Sequence, residues 1–176
     1  MNFCPLPHTT REKAWLSIGF AAGVVIARAL ATKKTAVKVN TPKRVFKLCV
    51  ASELTAFESS GQICSTLDSK DGFIHLSDRT SPPKVASLFF SGATDLWLLE
   101  VDAEQLAGPV QWIVGVMGDA APSASTLAAS ATTIHYLMAD GCVHAYGAAG
   151  VSMKAVVRRA KVPLGKDGVH VFPEWL

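Results

Sequence analysis

Apolar residues recur along the chain in short runs with a period of two, separated by turn-forming residues, and this spacing predicts strands more often than helices. The most informative run is Asp71-Gly72-Phe73-Ile74-His75-Leu76-Ser77. In an extended segment alternate side chains face opposite ways, so Phe73, His75 and Ser77 share one face and Ile74 and Leu76 the other. Val143-His144-Ala145-Tyr146-Gly147 repeats the pattern, with His144 and Tyr146 on one side. Each strand gives one face to a core and offers polar groups on the other. Two such strands beside one cleft would form a site.

The same pattern predicts the remaining elements. A β-branched and aromatic run over 45–50 suits a first strand, and Ser52 is placed to cap a helix over 53–60 that stops at Gly61. Residues 62–70 are polar and turn-like, which puts Asp68 and Asp71 on a loop before the strand at 73–76. Ser81 followed by Pro82 and Pro83 opens a helix that runs through Phe89 to Gly92. Residues 95–102 are apolar on both faces, as in a central covered strand. Further strands are predicted at 110–114, 132–138 and 142–146, with a Gly-, Ala- and Ser-rich loop over 115–130. A closing pair at 156–162 and 169–172 is joined by the hairpin signal Lys166-Asp167-Gly168. Strands interspersed with short helices define an α+β fold with a mainly antiparallel sheet.

Charge divides the chain. Residues 1–50 carry nine Lys/Arg against one acid, whereas 51–176 carry eight against thirteen. The basic part is a leader, residues 1–34, followed by a linker over 35–44 and a single domain over 45–176. Residues 14–31 form an apolar run broken only by Arg28. Three readings are open: a signal cleaved near Ala31 with secretion, a membrane anchor, or an organelle-directing leader. A fourth makes the run an ordinary helix of the domain. Membrane attachment or organelle targeting, with the domain kept in a reducing compartment, accords with the basic flank and with cysteines Cys4, Cys49, Cys64 and Cys142, which form no CxxC pair. An acidic domain with no Lys/Arg stripe excludes nucleic-acid binding through phosphate neutralisation. No Cys/His spacing suits zinc, so no metal is expected.

The chain resembles the family known as domain of unknown function 952. The resemblance rests on the 71–77 block, Phe46-Lys47-Leu48, the 95–102 strand, Val110-Gln111-Trp112, His144-Ala145-Tyr146-Gly147 and residues 168–173, and it spans 45 to the C-terminus. That family is remotely similar to ADP-ribosyltransferase-like folds, which hold NAD in the cleft of a split β-sheet. The resemblance implies such a split sheet and a cleft for a small-molecule nucleotide, NAD or an ADP-ribose-like compound, with an ADP-ribosyl or glycosyl transfer as the activity. His75 and His144 are then the candidate catalytic residues, and Asp71, Ser77, Tyr146 and Lys47 the candidate ligand contacts. Tyr146 suits stacking on a flat ring such as nicotinamide. His170 and Glu174 are candidates for the same cleft, and Trp97 and Trp112 are expected in the core. Where the family commonly has Trp-Glu, this chain has Trp112-Ile113, and Glu100 is the candidate to replace the missing carboxylate. The alternative is a non-catalytic binding module held at a membrane by the leader.

Overall fold

A computed structural model describes residues 40–148 and 150–176. The order is β1 (Arg44–Val50), α1 (Ala51–Ser60), β2 (Gln62–Ile63), α2 (Thr66–Asp71), β3 (Ile74–Ser77), α3 (Pro82–Phe89), β4 (Leu96–Asp102), β5 (Val110–Gly115), α4 (Ala124–Ala128), β6 (Thr132–Leu137), β7 (Cys142–Tyr146), β8 (Val151–Ser152) and β9 (Val156–Lys161). Seven strands form one sheet in the order β5-β6-β7-β3-β1-β4-β9, and β2 pairs with β8 in a small ribbon. In the large sheet β5 and β6 are parallel and the other neighbours antiparallel. The α+β class and mainly antiparallel sheet expected from the strand pattern are thus observed. The leader over 1–34, and the linker as far as residue 39, lie outside the described residues. Among the described residues no helix is long and apolar enough to cross a membrane.

Alternation along the strands makes two cores. On one face Val45, Cys49, Leu99, Val101, Ile74, Leu76, Val143 and Ile134 pack with Leu54 and Phe57 of α1. On the other, Phe46, Leu48, Leu96 and Leu98 pack with Ala86 of α3 and Val162. The sheet is therefore sandwiched between α1 and α3, and β4 is covered on both faces, as its unbroken apolar run predicts. The C-terminal segment seals the second core: Trp175 lies 6.5 Å from the Phe46 ring and under the Arg158 guanidinium, 4.6 Å from its centroid.

Four local expectations change. Residues 66–71, expected as loop, form α2 because Ser65 and Asp68 close a capping box: Ser65 Oγ accepts from the Asp68 amide at 3.1 Å and Asp68 Oδ2 accepts from the Ser65 amide at 2.8 Å. Helix α4 interrupts the expected loop over 115–130, with Ser123 at its cap. Residues 169–172 form no strand, and only the bridge Leu164↔His170 survives of the closing hairpin. Pro163 and Pro173 flank the segment and donate no ladder bond, and Val169 and Val171 point into solvent, so nothing rewards further pairing. Helix α1 also begins earlier than expected, at Ala51, with the Glu53 carboxylate rather than Ser52 capping it through the Val50 amide at 3.1 Å.

Helix α3 is fixed relative to the sheet through Asp78. Its Oδ1 accepts from the Thr80 amide and hydroxyl, and its Oδ2 accepts from the buried Tyr136 hydroxyl at 2.8 Å. Burial and the Asp78 carboxylate push the Tyr136 phenol up to about 12, so it remains a donor. Tyr136→Phe leaves that carboxylate oxygen short of a partner and should cost about 1–3 kcal/mol in urea unfolding; an unchanged midpoint would show the bond to be dispensable.

Candidate functional site

Strands β1 and β3 meet at one residue pair, Phe46↔Ser77. Beyond that rung the two strands part, and the gap is filled by Asp68 of α2, which is wholly buried. Its Oδ1 accepts from the His75 amide at 2.9 Å, a donor that would face β1 if the ladder continued. Lys47 Nζ, itself buried, donates to both carboxylate oxygens at 3.0 and 2.7 Å. His75 Nδ1 lies 2.8 Å from Oδ1, and because a carboxylate only accepts, Nδ1 is the donor. The ring is thereby held in one orientation with Nε2 turned outwards, 3.4 Å from Asp71 Oδ2. Burial opposes ionisation of Asp68, but the His75 hydrogen bond and the Lys47 charge outweigh it and hold the carboxyl well below its ordinary 3.8.

Cross-strand register lines up a row on the same face: His75 opposite His144, His144 opposite His135, and His135 opposite Ile113. The His75 and His144 rings meet edge to face with centroids 5.6 Å apart. Phe73 packs against both, at 4.5 and 4.2 Å. His144 is pushed down to about 4, first by burial and then by its neighbours His75 and His135, so it is neutral at pH 7. Gly115 makes room at the far end of the row, since a side-chain carbon there would come within 2.5 Å of His135 Nε2.

His75 and His144 border a cleft of about 740 Å³ between the split in the sheet and α3. Of the residues expected at the site, His75, His144, Asp71, Ser77 and Lys47 all line it. Lys47, however, is spent on Asp68. Tyr146 is buried against Phe73, with centroids 5.2 Å apart, and stands outside the lining, so the expected stacking surface is covered. His170 binds the Ala93 carbonyl at 2.9 Å, and neither it nor Glu174 reaches the cleft. Glu100 cannot replace the missing carboxylate: it lies beside Phe46 in the sheet, bound to Arg158 at 2.6 Å and facing Arg44 at 3.6 Å. Trp97 and Trp112 pack half-buried against the core, as expected. Cys49 is buried and Cys142 half-buried, both as free thiols. No group of three His, Cys, Asp or Glu among the described residues is arranged to hold a metal.

Sequence reasoning passed over two members. Asp68 was legible as the third residue of the Ser65 capping box, although that signal says nothing of Lys47 or His75. His135 left no signal, because its place depends on a register between strands.

The arrangement is that of an α+β domain whose sheet opens beside a histidine-bordered cleft. The family described as "Protein of unknown function (DUF952)" matches residues 48–159, and the chain belongs to it. Crystal structures of protein CC0527 from Caulobacter crescentus and of its double mutant each align with 73% of this chain and 93% of their own, at 24% identity and a TM-score of 0.52. The solution structure of CC0527 aligns over 73% and 91% with 25% identity and a TM-score of 0.45. No curated protein matches the chain. The likeness to CC0527 is one of fold.

Two outcomes follow. Asp68→Asn keeps the side chain's shape but strands the buried Lys47 ammonium, and should cost about 3 kcal/mol in guanidinium unfolding, partly recovered by adding Lys47→Met; a loss below about 1 kcal/mol would count against the carboxylate as the plug of the split. His144 titrates at 6.5 when unfolded and near 4 when folded, so below 6.5 the unfolded chain takes up the proton first. Stability is full above pH 6.5 and falls as pH drops towards 4, by on the order of 2 kcal/mol for a part-exposed ring. The Asp68 contribution is lost only below 3.8, in a separate window. Melting curves between pH 7.5 and 4 should therefore slope in the wild type and flatten in His144→Gln.

Proposed function

We propose that the domain binds a small ribose- or sugar-bearing molecule, a class that runs from simple nucleosides to NAD and ADP-ribose, in the cleft between α3 and the split sheet. The observation that carries this reading is the Asp68-held His75, whose Nδ1 is fixed as donor while Nε2 lies 3.4 Å from Asp71 Oδ2 in the wall of the cleft that Ser77 also lines. An imidazole whose protonation site and orientation are set in advance loses little freedom when a hydroxyl meets its outer nitrogen. The cleft has the volume and mixed lining of small-molecule sites, a few polar groups set among apolar ones. His144, neutral and one strand away, supplies a second hydrogen-bonding edge without a charge.

A second reading, a non-catalytic module tethered through residues 14–31, is favoured by the end of the histidine row. Position 113 stands in register with His135 and carries Ile in place of the Glu that the family resemblance leads one to expect. Glu100, the other carboxylate considered for the role, is committed to Arg158 and Arg44. On this ground the proposal is for ligand binding alone.

Thermal-shift and calorimetric titrations with NAD, ADP-ribose and their unphosphorylated nucleosides test the reading. At least one should raise the melting temperature of the full chain, and His75→Ala should weaken it about tenfold, the scale of one hydrogen bond to a ligand. Absence of binding by all of them would overturn it. Retention of full affinity by the His75→Ala, His144→Ala double variant, still folded, would move the ligand elsewhere.

A further inference from the structure

The charges and apolar groups around the cleft narrow the ligand class, on the assumption that the cleft holds a ligand at all. Glu53, Asp71 and Asp140 line it, against the ammonium groups of Lys47 and Lys84. Lys47 is already neutralised by Asp68 at 2.7 Å, which leaves Lys84 as the one uncommitted ammonium among the described lining residues. Two helix starts border the cleft, and helix starts are the usual way for backbone to hold a phosphate. Both have fewer donors to give here than an ordinary helix start. Pro82 and Pro83 remove two N–H groups from the first turn of α3, and the Ser65–Asp68 capping box takes up donors at the start of α2 and adds a carboxylate of its own.

The mouth of the same cleft is apolar. Leu67, Leu88, Phe89 and Met117 all line it and are each more than half exposed. Large apolar side chains scattered singly on a surface need no explanation, but four around one opening leave a contiguous patch uncovered.

We propose that the cleft selects a nucleoside or glycoside without phosphate groups, its hydroxylated head on His75 and Ser77 and an apolar group on its base or aglycone lying along Leu88 and Phe89. The carboxylates then repel the phosphorylated forms of the same head group, and the apolar mouth takes up the arm on the base or aglycone. Selection by charge and selection by surface act at opposite ends of one molecule, so each can be removed separately.

Calorimetry on the full chain with adenosine, N6-benzyladenosine, AMP and ADP separates the two. N6-benzyladenosine should bind most tightly, and each phosphate should weaken adenosine ~threefold, the scale of one exposed charge pair. Phe89→Ser should abolish the benzyl advantage, bringing N6-benzyladenosine to the affinity of adenosine, and Asp140→Asn should bring ADP closer to adenosine. Affinity that rises with each phosphate and disappears in Lys84→Ala would overturn this selectivity while leaving the cleft a ligand site. Failure of all four compounds to bind would instead remove the ligand site, and the selectivity with it.

Discussion

The buried carboxylate of Asp68 is the interaction on which the rest of the molecule depends. A seven-stranded sheet joined at its middle by a single residue pair leaves backbone donors of β3 without partners where β1 turns away. A buried amide left unpaired costs as much as a lost hydrogen bond. Asp68 receives one such amide, and in the same position meets a lysine, a histidine and its own capping partner. Burying a charge is expensive unless it is paired and hydrogen-bonded, and here the four donors together offset desolvation. The split in the sheet is thus a feature with its own support, and the cleft exists because the split does.

That arrangement joins stability to chemistry. The group that closes the gap in the backbone network also orients His75, so the outward nitrogen is placed by the same bonds that hold the two halves of the sheet together. Phe73 completes the support by lying against His75, His144 and Tyr146 together, which fixes the rings from behind. Side chains that could turn freely in an isolated strand are left with one orientation each.

How much of this could be read beforehand follows from the range of the interactions. Runs of apolar and strand-forming residues marked β1, β3, β4, β6 and β7 because each buries at least one face, and burial leaves its pattern in consecutive residues. Helix α2 was hidden by its polarity: Thr-Leu-Asp-Ser-Lys-Asp carries one large apolar residue, and its helical state comes from the capping box and from Asp68 pointing inwards. The pairing of His75 with His144 could be proposed from matching local patterns, and the register bears out their meeting. Tyr146 shows the limit of that method. Its strand face was identified, but the Phe73 ring already covers it, which is a fact about packing between neighbouring strands and invisible along either one of them. His135 and Lys47 likewise owe their places to contacts between residues distant in sequence.

The parallel pairing of β5 with β6 carries a last consequence. Parallel neighbours cannot be joined by a tight hairpin, so residues 116–131 must travel the length of the sheet before β6 begins. That obligatory return path contributes Met117 to the wall of the cleft. Length and composition can change along this detour without disturbing any strand register, which frees the chain to reshape what the pocket admits while the architecture beneath it stays constant.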